Sequence, residues 1–116
     1  QVCPLLLRCF WKGGRGNTAV DYKESGHGAV PQNEIQIYTW PDATLREITD
    51  LVKDVILQSV KQKHLSLTYA LVYPDREGRF VLRTIGKLAS FRGGPDDSKT
   101  LGGVNFQTGD YLDIMV

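Results

Sequence analysis

Residues 41–63, PDATLREITDLVKDVILQSVKQK, carry the one sustained helical periodicity in the chain, and a single amphipathic helix can cover one sheet face and little more. Thr44 followed three residues on by Glu47 has the form of a capping box, which fixes where such a helix begins. Leu45, Ile48, Leu51, Val52, Val55, Ile56 and Val60 then recur at helical spacing. Arg46, Glu47, Asp50, Lys53, Asp54, Lys61 and Lys63 fall mainly on the polar side. The lysines at the end suit the negative pole of a helix dipole.

The remaining apolar segments read as strands. Residues 3–11 (CPLLLRCFW) are dense enough for a central strand, with Leu5, Leu7 and Cys9 on one face and Leu6, Arg8 and Phe10 on the other. Residues 34–40 (EIQIYTW) alternate, placing Ile35, Ile37 and Thr39 on one face and Gln36, Tyr38 and Trp40 on the other. In residues 65–73 (LSLTYALVY), large side chains at Leu65, Leu67, Tyr69 and Leu71 alternate with small ones, as under a helix. A turn at Pro74, Asp75, Arg76, Glu77 and Gly78 leads into residues 79–85, predicting a hairpin. Residues 111–116 (YLDIMV) form a last apolar strand after Thr108, Gly109 and Asp110. Between these, residues 12–33 are glycine-punctuated and polar and read as a long loop, with room for a short helical turn at residues 19–23; residues 91–98 are a second irregular stretch.

Strand, strand, helix, hairpin, strand, with the two most apolar strands first and last, predicts an α+β roll whose central neighbours are those two strands. That arrangement is the ubiquitin-like β-grasp, a mixed sheet with one main helix packed on one face. A ferredoxin-like sheet would need a second full helix within residues 86–105, which carry too much Gly, Pro and Ser for one. The 116 residues, 41% apolar, fit a single domain over residues 1–116.

Fourteen basic against thirteen acidic side chains leave a formal charge of +1, so no strong field attracts nucleic acid or anionic lipid. Cys3 and Cys9 lie in one extended segment and cannot bridge each other unless it folds back, which points to a reducing compartment, cytosol or nucleus. No run near the start is long enough for a signal peptide or membrane span. The opening Gln1 in place of Met points to a missing N-terminal segment.

Five words now stand in order: CPLLLR (3–8), IQIYTW (35–40), DATLREITDLVK (42–53), PDDSKTL (95–101) and GDYLDI (109–114). Together they resemble the eighteen-kilodalton Sin-three-associated polypeptide family over essentially the whole chain. The departures lie in the first glycine-rich loop, FRGGP (91–95) and LGGVNF (101–106). The resemblance implies a ubiquitin-like fold, nuclear localisation, no catalysis and no cofactor. It also implies protein partners in two settings: the Sin-three histone deacetylase corepressor, and splicing-associated assemblies with an Acinus-type or Pinin-type peptide and an RNA-binding splicing activator. RNA would then be met only indirectly, and neither a membrane nor a small-molecule substrate is implied.

The residues themselves offer little chemistry. The sequence stops at Ile114, Met115, Val116, without the Gly-Gly carboxylate by which ubiquitin is conjugated. His27, His64, Cys3 and Cys9 form no close ligand pair, so no metal site is expected. Asp96, Asp97 and Ser98 could supply carboxylates and a hydroxyl, but an Asx-type turn capping the next segment is the simpler role. The Arg-Gly elements at Gly13, Gly14, Arg15 and Gly16 and at Arg92, Gly93 and Gly94 match no phosphate fingerprint; they support the alternative of an accessory RNA-binding domain.

The sheet face opposite the helix is the richer candidate. Phe10, Gln36, Tyr38, Trp40, Tyr111 and Met115 share it and form the expected partner-binding set, unless the first loop folds back over it. Arg8 and Asp113 could pair across the central strands. Residues 34–40 are expected at a sheet edge, open to strand addition by an extended peptide anchored on Tyr38 and Trp40. Alternatively, Trp40 packs as a lid beside Leu45 or Ile48.

Overall fold

The computed structural model describes residues 4–14, 16–18, 21–22 and 33–116. Among them run β1 (Leu5–Lys12), β2 (Glu34–Thr39), α1 (Leu45–Val60), β3 (Ser66–Pro74), β4 (Phe80–Ala89) and β5 (Tyr111–Met115), with a 3-10 turn at Gly102–Val104. The predicted capping box forms: the Thr44 hydroxyl accepts the Glu47 amide at 3.1 Å while a Glu47 carboxylate oxygen accepts the Thr44 amide at 3.1 Å. At the other end Lys61 turns into the left-handed region, φ 55°, and its N–H donates to the Leu57 carbonyl, which stops the helix.

The strands form one sheet in the order β2-β1-β5-β3-β4. β1 and β5 run parallel at its centre and every other pairing is antiparallel, as the apolar composition of the first and last strands predicts. β4 runs to Ala89, four residues beyond the predicted hairpin arm, and the register shifts between Tyr69 and Ala70. The extra residue is Ile85 on β4, so Ile85 and Leu88, three residues apart, both reach the main core.

Two apolar layers result. Between sheet and helix lie Leu7, Cys9, Ile48, Val52, Ile56, Leu67, Tyr69, Leu71, Leu112 and Ile114, all buried. The Thr49 hydroxyl donates to the Leu45 carbonyl and lies 2.7 Å from the Tyr69 hydroxyl, so the polar tips inside this layer are paired. Cys9 is a free thiol in the same layer, and burial pushes it up to about 12, which leaves it a packing residue. Cys3 lies outside the described residues. Leu51 and Val55, which share the helical apolar spacing, stand outside the core with 55% and 47% of their surface exposed.

Candidate functional site

On the face opposite the helix, strand parity holds but exposure does not follow it. Phe10, expected on an open surface, is fully buried in a second small core with Tyr22 and Val72. Its ring meets Tyr22 edge-on at 5.6 Å and Tyr111 edge-on at 5.2 Å, and Tyr22 stacks on Tyr111 at 5.8 Å. The first loop therefore does fold back: Asp21 and Tyr22 are helical, and Tyr22 sits on the sheet. The rest of the turn expected at residues 19–23 lies outside the described residues.

A buried carboxylate holds this fold-back. Asp113, 3% exposed on central strand β5, accepts the Asn17 amide at 2.9 Å and the Tyr22 hydroxyl at 2.7 Å on the same oxygen. The expected Arg8–Asp113 pair is thereby corrected. In the parallel register Arg8 faces Tyr111 and Asp113 faces Phe10, and the Arg8 guanidinium instead grips Glu34 of β2 in a bidentate pair, with one contact at 3.1 Å. That hydrogen bond raises Arg8 and lowers Glu34 from their ordinary values.

Met115 is half-buried beneath the same loop. Gly16, at φ +76°, places its backbone so close that an added Cβ would stand 2.9 Å from the Met115 Cγ. Gly16→Ala is expected to cost about 1–2 kcal/mol, from left-handed strain and crowding together. A urea midpoint equal to that of the parent would contradict this close approach.

What stays open is the β2 side. Tyr38 is 75% exposed, Trp40 46%, and Gln36 is exposed beside them. Trp40 is thus no closed lid on the first helical turn. β2 is an edge strand, and its outward backbone groups can be identified. The Trp11 N–H donates to the Asn33 carbonyl, so by alternation Ile35, Ile37 and Thr39 point their backbone groups inward to β1 while Gln36 and Tyr38 point theirs away from the sheet.

The other edge is covered over part of its length. On β4 the Lys87 N–H donates to the Asp96 carboxylate at 2.9 Å, and the Lys99 ammonium donates to the Ile85 carbonyl at 2.8 Å. The Lys87 amide, with Lys99 beside it, holds the Asp96 carboxyl below its ordinary range. Asp97 accepts from Arg46 at 3.1 Å, and Arg46 also reaches the Ala89 and Arg92 carbonyls. Asp96 therefore caps one amide of the β4 edge and Asp97 clamps its loop to α1, in place of the expected turn-capping role. The cavity of about 640 Å³ beside Asp96 is lined by Ser66, Lys87, Leu88, Ala89, Arg92, Gly93, Gly94 and Pro95, and includes no histidine. Of the Arg-Gly elements, Arg92 stacks over Phe91 at 5.3 Å and Arg15 lies outside the described residues, as does His27.

Among the described residues, a five-stranded mixed sheet with parallel first and last strands at its centre and one long helix across one face defines an α+β, ubiquitin-like β-grasp module. The chain belongs to the family described as Sin3 associated polypeptide p18 (SAP18), whose model matches residues 1–116. It is 45% identical over 118 residues to a histone deacetylase complex subunit SAP18 of Arabidopsis thaliana, covering 100% of this chain and 76% of the relative. Proteins of the same name from Drosophila melanogaster and Homo sapiens are 44% and 43% identical over 117 residues, again covering all of this chain and 75% and 74% of theirs.

Proposed function

We propose that this chain is a non-catalytic adaptor subunit of nuclear assemblies, and that it works by taking an extended partner peptide onto β2. The relatives named as histone deacetylase complex subunits support a place in a corepressor complex. The splicing-associated setting, with an Acinus-type or Pinin-type peptide and an RNA-binding activator beside the Sin-three corepressor, is part of the same proposal. The single observation that carries the binding mode is the β2 edge itself: Gln36 and Tyr38 present backbone groups outward next to exposed aromatic side chains, whereas side chains cap β4 at Ile85 and Lys87.

Tyr38, Trp40 and Gln36 form the contact surface in this reading. Tyr111 and Met115 lie under the first loop, Met115 at the other end of β1 from Tyr38, and Phe10 is part of the core. The experiment is calorimetric titration with an Acinus-type peptide and an RNA oligonucleotide at two salt concentrations. Saturable peptide binding that falls at least about tenfold in a folded Tyr38→Ala, Trp40→Ala double variant is the expected result. Undiminished binding by that variant would sink the β2 site. Binding of RNA alone, with a steep salt dependence, would replace the adaptor reading by the RNA-binding one.

A further inference from the structure

The link from α1 to β3 and the loop after β4 meet at one corner of the sheet. The Ser90 N–H donates to the Leu65 carbonyl at 2.9 Å, and the Leu65 N–H donates to the Ser90 hydroxyl at 2.8 Å. These bonds bring His64 beside Phe91, with ring centroids 4.7 Å apart, although Phe91 keeps 51% of its surface exposed. The Arg92 guanidinium lies over the same ring at 5.3 Å, and Arg92 also lines the cavity of about 640 Å³ that it shares with Lys87 and Ser66. His64, Phe91, Arg92 and Lys87 thus border one continuous surface. Arg46 holds this corner from the helix side through the Ala89 and Arg92 carbonyls, so the ring is fixed in place without being covered.

Positive charge is concentrated there. Residues 61–68 and 86–95 contain Lys61, Lys63, Lys87 and Arg92 and no acidic residue. Among the described residues none of these four makes an ion pair, whereas Arg8, Arg46, Lys53, Arg79 and Lys99 all do. The carboxylate on the cavity wall, Asp96, is already engaged by the Lys87 amide and the Lys99 ammonium. The formal total of +1 therefore conceals a local excess of cations next to an exposed ring.

A flexible polyanion with flat bases uses both features, its phosphates meeting the cations while a base stacks on the ring. A phosphorylated peptide would use the cations and leave the ring idle. We infer that this corner is a contact site for single-stranded nucleic acid, bound without sequence preference, with a base against Phe91 and phosphates on Arg92 and Lys87. The site goes beyond the strand-addition reading and does not depend on it, because β4 and β2 are opposite edges of the sheet. Stacking and phosphate contacts do not distinguish RNA from DNA, so both sugars are expected to bind alike.

The test is fluorescence anisotropy with labelled oligouridylate and oligodeoxythymidylate of about ten nucleotides, at low and at high salt. Both are expected to bind, more weakly as salt rises. Lys87→Gln with Arg92→Gln is expected to weaken both roughly tenfold or more and to flatten the salt dependence. Lys12→Gln with Arg76→Gln removes the same charge elsewhere and should leave affinity within about twofold. Phe91→Ala is expected to lose roughly fivefold or more, and Phe91→Tyr to restore binding.

Equal losses in the two charge-matched double variants, or no binding of either oligonucleotide, would overturn the site. A roughly tenfold preference for one sugar would overturn this mode of contact. A phosphoserine peptide of equal charge that binds more tightly than both oligonucleotides, indifferent to Phe91→Ala, would assign the corner to an acidic protein partner instead. The Tyr38→Ala, Trp40→Ala variant should bind oligonucleotide as the parent does whatever it does to peptide, and a parallel loss of oligonucleotide binding would move the contact to β2.

Discussion

Phe10→Ala is expected to destabilise the fold by about 3–5 kcal/mol, the usual cost of emptying a fully buried aromatic site. Its ring is the common neighbour of Tyr22 and Tyr111, and it lies in the small core that also holds Val72. Against the roughly 5–15 kcal/mol that holds a typical domain together, this is a large fraction. Urea unfolding followed by circular dichroism measures it. A folded variant with an unmoved midpoint and a selective loss of partner binding would return Phe10 to the contact surface, where strand parity alone had placed it.

Asp113→Ala takes away the acceptor shared by Asn17 and Tyr22 and is expected to cost about 2–3 kcal/mol, because two polar groups lose a buried bond and only part is regained by removing a desolvated charge. Asp113→Asn keeps an oxygen where both donors meet and should stay within about 1 kcal/mol of the parent. The pair also reports the sign of a proton linkage. Burial is the largest influence on this carboxyl and raises it; the Tyr22 and Asn17 donors oppose the rise, and Asp21 adds to it. A carboxyl raised in the folded state favours folding fully below its unfolded value of about 3.9, and that contribution fades as pH climbs through the raised folded value. The asparagine variant should lack this decline, so its stability relative to the parent is expected to improve as pH rises from about 3.9. A constant difference across that range would show that Asp113 has no raised titration in the folded protein.

Local signals carried much of the fold. The capping box at Thr44 and Glu47 places the start of α1, because the groups it joins are three residues apart. Alternation along Glu34–Thr39 assigns both faces of β2, because a strand has only two. The apolar first and last strands were legible as central neighbours, since composition reports burial on both faces. The stagger between them was not. Arg8 and Asp113 are on one face, yet the parallel register sets each against a different residue, and spacing along a chain says nothing about the offset between two strands.

The second core was hidden for a related reason. Asn17 and Tyr22 meet Asp113 across 96 and 91 residues, from within a segment that has no periodicity of its own. Leu51 and Val55 failed in the opposite direction. A broad apolar stripe at helical spacing includes its own margins, and only the sheet beneath shows which margin is left uncovered.

The parallel contact between β1 and β5 also sets an order of events during synthesis. β1 leaves the ribosome early, but its central partner lies about a hundred residues later, and the hairpin of β3 and β4 can form long before that partner arrives. Until Tyr111–Met115 emerges, a strand as oily as LLLRCFWK has β2 on one side and a vacant ladder on the other. The nascent chain is then most vulnerable to aggregation, and chaperone dependence is expected to end abruptly when β5 is released, not to decline gradually with length.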